Sequence, residues 1–137
     1  MNDLLDYLLA YAKEHQIHVF FNHDLQPDQP PFTYAKRSLI VMNANWHNSN
    51  ELPFQLAHEI GHCVNGTVGV APYATFACLE HEEVPANKTA IKLILRYCTA
   101  NNIAVDNSYD FMTSFSVPVV LFSTLAPLIQ KYINKKA

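Results

Sequence analysis

The chain is poor in glycine and cysteine, and each shortage excludes a class of protein. Only 3 of its 137 residues are glycine and half are hydrophobic, so disorder is expected only at the termini and in Gln26–Pro31. The 3 cysteines, Cys63, Cys78 and Cys98, are odd in number and lack CxxC spacing. Their spacing predicts neither a disulfide framework nor a thiolate zinc site, and we expect buried, reduced thiols.

Positive charge and long apolar runs are also scarce. The formal net charge is −3 and no basic cluster exceeds Lys135-Lys136, which argues against direct nucleic-acid binding through phosphate neutralisation. The most apolar stretch, Val117–Ile129, has 13 residues and contains Pro127, so it is too short and interrupted for a membrane span. We expect it to form a buried helix pair rather than a partner-docking face. Met1–Leu4 shows no secretory signal, so a cytoplasmic location is expected.

The chain does contain the motif HExxH, as His58-Glu59-Ile60-Gly61-His62. On a helix, His58 and His62 project from nearly the same face one turn apart, so both can bind one metal ion. Glu59 is rotated by about 100° and suits a general base acting on water. This arrangement is typical of zincin-type metallopeptidases, with His58 and His62 as ligands and Glu59 as the catalytic residue.

The flanking residues independently predict a helix around the motif. Asn48–Asn50 supplies N-cap candidates, Pro53 is tolerated in the first turn, and Asn65-Gly66 is a good C-terminal pair. Gly61 costs about 1 kcal/mol inside a helix. Its presence therefore predicts that another element packs closely against it.

Two histidines are one ligand short, because a zinc ion in a hydrolase usually takes three protein ligands. The stretch Glu80–Asn87 opens a second helical pattern, which ends near Asn101-Asn102. Glu83 follows His62 by 21 positions, enough for a loop and a returning helix. One of Glu80, Glu82 and Glu83 is therefore expected to supply the third ligand.

The order of these motifs resembles the ImmA/IrrE metallopeptidases of bacteria, phages and mobile elements. The shared features are HEIGH, the Glu-x-x-Ala-Asn pattern in Glu83–Asn87 and the apolar run Thr89–Leu95, and the resemblance is densest from about residue 52 to residue 95. It implies that His58, His62 and Glu83 bind Zn²⁺, with Glu82 as the alternative to Glu83, and that Glu59 is the base. It also implies a regulatory protease whose protein substrate is a helix-turn-helix repressor encoded nearby.

The predicted fold class is α+β: a single zincin-like domain, mostly helical, with a small antiparallel sheet before the HExxH helix. Residues 1–50 would form a helix and the sheet, residues 51–102 the two zinc-site helices, and residues 103–137 the C-terminal helices. The first helix is predicted over Asp3–His15, and strands over Ile17–Phe21, Phe32–Ala35 and Leu39–Asn43.

The C-terminal part is predicted to contain two further helices, with a kink or restart in the second. Asp106 or Asn107 could cap a helix through Phe115, Pro118 suits the first turn of another, and Pro127 should kink or restart it.

Other polar residues are candidates for supporting roles. Tyr73, His81 and His47 could each donate a hydrogen bond to a developing oxyanion, although surface or packing roles are commoner for such residues. Asn87 could orient Glu83.

Two other functions fit the same motifs. In a non-catalytic, zinc-stabilised module the metal would have four protein ligands, with His81 or Glu82 as the fourth, and the apolar C-terminal part would dock a repressor or antirepressor. A toxin or stress-response component of the same fold is the other alternative.

Overall fold

A computed structural model of the chain describes residues 3–66 and 76–136, and for residues 76–82 it describes the backbone alone. Helices dominate this part of the chain, and three short strands form one sheet. The elements in chain order are α1 (Asp3–Glu14), β1 (His18–Asn22), β2 (Phe32–Tyr34), β3 (Leu39–Asn43), α2 (Leu52–Val64), α3 (Phe76–Ala100), α4 (Ser108–Ser114) and α5 (Phe122–Lys136). The α+β class is confirmed, and the first helix and the strands lie within about two residues of their predicted bounds.

The sheet is mixed, so the prediction of a purely antiparallel sheet was wrong in one pairing. Its strand order is β1-β3-β2, with β2 antiparallel and β1 parallel to the central strand β3. A tight turn with Ser38 at φ 48° joins β2 to β3. The long connection from β1 to β2 instead allows β1 to take the other edge of β3, where it pairs in parallel.

A buried asparagine holds that long connection in place. Asn43, at the end of β3, is fully buried, and its Nδ2 donates hydrogen bonds to the carbonyl oxygens of Gln26 (2.6 Å) and Gln29 (2.9 Å). Because the two bonds satisfy the amide in a buried place, the segment that leads to Pro30 and Pro31 has a defined position.

The helix that carries HExxH ends as the sequence predicts, but the predicted N-cap residues precede it by one short turn, and Glu51 at its N-terminus makes no side-chain cap. Asn48 Oδ1 accepts a hydrogen bond from the Asn50 backbone N–H in a short 3-10 turn before α2, and Pro53 lies in the first turn of α2. Asn65 caps the C-terminus, and Gly66 follows with φ 72°, the left-handed conformation that favours glycine after a helix.

Helix α3 begins at Phe76, four residues before its predicted start at Glu80, and it ends at Ala100 as expected. Pro85 therefore lies inside the helix, where it removes one backbone hydrogen bond. The helix continues because it is held against α2 on both sides of the proline, by Glu83 and by Ala86.

The core lies between α1, α2, α3, α5 and the sheet. Its fully buried side chains include Leu8, Ile40, Met42, Leu56, Ile60, Ile91, Ile94, Leu125 and Ile129. Burying each such side chain contributes about 1.5–3 kcal/mol. The core therefore fixes α2 and α3 side by side, with the HExxH motif at their contact.

In the C-terminal part, α4 lies where it was predicted, whereas the segment from Pro118 onward differs from prediction. Asn107 caps α4, with Oδ1 accepting from the Asp110 backbone N–H at 2.8 Å. Pro118 precedes a 3-10 turn over residues 119–121 rather than lying in an α-helical first turn. Helix α5 then runs through Pro127 without restarting.

The expectation that Val117–Ile129 forms a buried helix pair was wrong in its middle, where an exposed 3-10 turn stands in place of the first helix. Val117, Leu125 and Ile129 are buried, whereas Val119 is 71% exposed and Val120 82% exposed. The 3-10 turn displaces these two valines from the helical pattern that buries the others. Among the described residues, no helix is long and apolar enough to cross a membrane.

Candidate metal centre

Two imidazoles of α2 face the same point, as the HExxH spacing predicts. The Nε2 atoms of His58 and His62 are 3.2 Å apart, and their rings meet edge to face at 85°. His62 is 1% exposed. One helical turn therefore places two nitrogen donors of neighbouring rings next to each other, away from bulk water.

Glu83 of α3 completes this cluster. Its Oε2 lies 2.9 Å from His58 Nε2 and its Oε1 lies 3.0 Å from His62 Nε2. The three residues form a group whose ligand atoms all lie within 4.8 Å of one another. The side chains of Glu82 and His81, and the whole of Tyr73, lie outside the described part of the chain.

The spacing of the donors fits a zinc ion. Two atoms that each lie about 2.0–2.2 Å from a tetrahedral zinc are about 3.3–3.6 Å apart. The distances of 2.9, 3.0 and 3.2 Å between the donor atoms of His58, His62 and Glu83 are within a few tenths of an ångström of that range. The residues present could therefore hold such an ion after small side-chain adjustments.

The close packing of charged groups shifts the pKa values of two members of the cluster, Glu83 and His58. Burial raises the pKa of Glu83, but the hydrogen bonds from His58 and His62 and their charges outweigh burial and lower it to about 2. Burial lowers the pKa of His58, yet its hydrogen bond to Glu83 and the charges of Glu59 and Glu83 raise it above the ordinary 6.5. A proton on His58 and a metal ion thus compete for the same place beside the Glu83 carboxylate.

Asn87 holds His58 rather than Glu83, which corrects the predicted role. Its Oδ1 is 2.7 Å from His58 Nδ1, and the asparagine is only 6% exposed. Because a carboxamide oxygen can only accept, His58 Nδ1 must carry the proton. Nε2 of the neutral ring then keeps its lone pair for the metal.

Glu59 lies beside the cluster and is held by a residue that the sequence did not indicate. Thr33 of β2, itself 1% exposed, donates from Oγ1 to Glu59 Oε1 at 2.6 Å. The other oxygen, Oε2, is 4.0 Å from His58 Nε2. Burial raises the pKa of Glu59 above 4.5, although His58 and the Thr33 hydrogen bond both lower it. A buried carboxylate with a raised pKa is suited to accepting a proton.

The cluster opens into a cleft of about 500 Å³. Besides the polar residues above, its walls are Pro30, Pro31, Phe54, Pro118, Val120 and Leu121. Gln55 also lines the cleft, and its buried Oε1 has no hydrogen-bond partner in the described part of the structure. A buried acceptor without a partner destabilises the free protein.

The family whose profile matches is the IrrE N-terminal-like domain, peptidase family M78, over residues 12–123. The chain belongs to this family. The match covers α2, α3 and the sheet, and therefore all the residues of the cluster. Neither the curated proteins nor the solved structures give a match.

Membership of the M78 family makes this chain a peptidase-type protein with a protein substrate. The family depends on a metal, and His58, His62 and Glu83 are the group that could hold it here. The resemblance to ImmA/IrrE proteins is thus confirmed.

Two other polar residues do not join the site. His47 is exposed, and its Nδ1 is 3.2 Å from the carbonyl oxygen of Pro27. Burial and the charge of Glu59 raise the pKa of Cys63 to about 11, so its thiol stays protonated at neutral pH and is a poor metal ligand.

Proposed function

We propose that this chain is a zinc-dependent endopeptidase in which His58, His62 and Glu83 hold the metal and Glu59 is the catalytic base. The observation that carries the proposal is the convergence of three ligand atoms within 4.8 Å, beside a buried carboxylate outside that group. Two imidazoles and one carboxylate are the donor set of many zinc hydrolases. Magnesium and calcium prefer sites made of oxygen atoms alone, so this donor set favours zinc over them.

When bound, zinc would supply Lewis-acid chemistry by making a water molecule more acidic and polarising the peptide carbonyl. Glu59 accepts the proton of the attacking water and later delivers it to the leaving amine. Thr33 orients Glu59 through the 2.6 Å hydrogen bond. Asn87 fixes the tautomer of His58.

The surroundings of the cluster support an extended peptide as the substrate. Strand β2 is an edge of the sheet, and Thr33 at its centre contacts Glu59. In zincins such an edge can bind a substrate strand by β-augmentation. The apolar cleft walls, Phe54 and Val120 among them, favour an apolar side chain next to the cleaved bond.

The specific substrate that we propose is a helix-turn-helix repressor encoded near this chain, in a phage or another mobile element. The resemblance to ImmA/IrrE proteins supports it, because those proteins typically relieve repression by cutting such a repressor. Cleavage of a DNA-bound regulator also implies that the protease acts in the cytoplasm.

The test compares the zinc-loaded chain with Glu59→Gln. Both proteins are incubated with the repressor encoded beside the gene and with a library of unstructured peptides, and the products are identified by mass spectrometry. We expect one defined cut in the repressor by the unmodified chain and none by Glu59→Gln, with equal zinc content in both. If the peptides are cleaved in a Glu59-dependent way while the repressor stays intact, the proposed substrate is refuted but the proposed peptidase activity stands.

The non-catalytic module makes the opposite prediction for the same samples. It would bind zinc and the repressor, yet neither protein would cut any peptide. That result, with stoichiometric zinc present, would refute the endopeptidase proposal.

A further inference from the structure

A second concave surface, which we call the basic groove, runs between α3 and α5. Its volume is about 720 Å³. Lys92 and Arg96 of α3 form one rim, and Lys131 and Lys135 of α5 form the other. Each pair is spaced i, i+4, so its two cations lie one turn apart on the same side of their helix.

The floor of the groove is apolar and its walls are fixed to each other. Leu95 of α3 and Leu128 of α5 line it, and Leu95 is 5% exposed. The hydroxyl oxygens of Thr99 and Tyr132 are 2.6 Å apart and join the two helices across the groove. The groove follows about eight residues of each helix, so its length is about 12 Å, or two helical turns.

The charge of the groove opposes that of the whole chain. The chain has 9 basic residues and a formal net charge of −3, yet four of the nine lie on these rims. In the part of the chain that the structure describes, none of these four has a carboxylate oxygen within 4.0 Å of its side-chain nitrogens. Arg96 instead lies 5.8 Å from the ring centre of Tyr11. The cations are therefore available to a partner.

The groove is separate from the metal centre, although both use α3. Lys92 follows Glu83 by nine residues, which at about 100° per residue is two and a half turns. The two side chains thus leave α3 on opposite faces. No ligand atom of the metal centre lines the groove.

We propose that the basic groove binds an acidic amphipathic helix of a protein partner. The apolar face of such a helix would cover Leu95 and Leu128, and carboxylates on its two flanks would pair with the lysines and Arg96. A helix laid into an apolar groove is a common mode of peptide recognition, and charge complementarity sets which helix enters. A nucleic acid fits less well, because the floor is apolar and the chain as a whole is acidic.

The experiment measures binding of a fluorescent probe to the full, zinc-loaded chain by anisotropy. The probe is a helical peptide about 18 residues long, with leucine along one face, glutamate on both flanks and no basic residue. A second peptide has glutamine at every glutamate position. We expect the acidic probe to bind, binding to weaken with added NaCl, and the glutamine peptide to bind about tenfold more weakly or worse.

Matched variants assign the binding to this groove. Lys92→Gln/Lys131→Gln removes one cation from each rim, and Lys13→Gln/Lys36→Gln removes two exposed lysines elsewhere. All four positions are exposed, so both double variants should fold and keep the metal centre. We expect the first to lose about tenfold or more in affinity for the probe and the second to change it less than about twofold.

Three results would overturn the proposal. They are failure of the acidic probe to bind at low salt, equal losses in the two double variants, and equal binding of the glutamine peptide. A short DNA duplex is titrated in parallel, and tighter binding of the duplex that is lost in Lys92→Gln/Lys131→Gln would replace the protein partner with a nucleic acid. None of these readouts depends on cleavage, so the proposed endopeptidase can fail while this proposal stands.

Discussion

Gly61 of the HExxH motif lies directly against Ala86 of the following helix. A Cβ atom on Gly61 would stand 2.8 Å from the carbonyl oxygen of Ala86 and 2.9 Å from its Cα. Since both neighbours are backbone atoms, neither can move alone. The missing side chain therefore sets how closely α2 and α3 approach, and that approach brings Glu83 to His58 and His62.

The first prediction concerns Gly61→Ala. Alanine is the better helix former by about 1 kcal/mol, yet the substitution should destabilise the metal-free protein by about 1–3 kcal/mol because the helices must separate. Zinc affinity should fall about tenfold or more, because displacing a ligand by even part of an ångström weakens the site. Urea unfolding in chelator measures the first effect, and zinc titration with a competing indicator the second.

Gly66→Ala is the matched control. Gly66 has φ 72°, and no atom of the described residues lies within 4 Å of an added Cβ, so alanine there costs about 1–2 kcal/mol of backbone strain without moving α3. Unchanged zinc affinity in Gly66→Ala and a clear loss in Gly61→Ala are expected. Equal zinc affinity in the two variants would contradict the role given to the helix contact.

The second prediction concerns Asn87→Ala. Without the 2.7 Å hydrogen bond, His58 loses the group that orients its ring and fixes its tautomer. Such losses typically cost about 10- to 100-fold in metal affinity, and we expect zinc binding to weaken by that amount. Thr89→Ala is the control, because Thr89 links α3 to the C-terminal end of α2 through Asn65 and makes no hydrogen bond to His58, His62 or Glu83 among the described residues. A variant Asn87→Ala that binds zinc as tightly as the unmodified chain would refute the assignment.

The third prediction is the pH dependence of zinc binding. Zinc must displace the proton on His58, whose pKa in the metal-free protein is raised above 6.5 by Glu83 and Glu59 despite burial. As the pH is lowered, zinc affinity should therefore begin to fall before pH 6.5 is reached. Once His58 is mostly protonated, the affinity should fall by about tenfold per pH unit. Glu83, with a pKa of about 2, remains ionised throughout.

Titration calorimetry in two buffers of different ionisation enthalpy measures this effect directly. His58 should release more than about half a proton per zinc bound at pH 6.5, and less at higher pH. A zinc affinity that stays constant between neutral pH and pH 6 would contradict the raised pKa of His58.

The fourth prediction concerns Thr33→Val, a change of nearly constant shape. Loss of the hydrogen bond to Glu59 should lower kcat about tenfold or more while KM and zinc content stay nearly unchanged. The Thr33 hydrogen bond lowers the pKa of Glu59, so its loss raises that pKa further and moves the acidic limb of the pH–rate profile to higher pH. Thr33→Ser keeps the hydroxyl and should restore both. Loss of activity in Thr33→Val without a shifted profile would point to a purely structural role.

The sequence predicts the parts of this molecule that rest on local periodicity. HExxH places His58 and His62 on one helix face without reference to any other element. Asn48 caps the 3-10 turn before α2 and Asn65 ends the helix, and the glycine at position 61 correctly predicts a closely packed neighbouring element. Glu83 required the family resemblance, because Glu80, Glu82 and Glu83 are all candidate ligands in the sequence and local spacing does not select one of them.

The remainder depends on contacts between residues far apart in the chain. Thr33 and Glu59 are 26 positions apart in the chain. No local sequence pattern around a threonine in a three-residue strand predicts a hydrogen bond between them. The parallel pairing of β1 with β3 depends on where the long connection between β1 and β2 is held, through Asn43. The role of Asn87 was assigned to the wrong partner because helical spacing relates it to Glu83 and gives no information about His58.

The last prediction concerns Gln55, whose buried Oε1 has no hydrogen-bond partner among the described residues. An unsatisfied buried acceptor costs about 1–3 kcal/mol, so Gln55→Met, which keeps the size but removes the amide, should raise the stability of the free protein by about 1 kcal/mol. If a substrate N–H donates to this oxygen in the cleft, the same change should raise KM about fivefold or more with little effect on kcat.

If Gln55→Met raises stability but weakens substrate binding, Gln55 serves the substrate. A residue that only packs in the fold would not give these opposite effects. Gln130→Met is the control, because Gln130 is exposed on α5 and bonds only to the neighbouring Asn134 among the described side chains. It should leave KM unchanged. Thermal unfolding of the zinc-loaded proteins and steady-state cleavage of one peptide measure the two quantities. A Gln55→Met protein that is less stable and binds the peptide normally would show that the amide serves the fold. A more stable protein with a raised KM is the expected outcome, because the substitution removes an unsatisfied acceptor from the free protein and a hydrogen bond from the substrate complex.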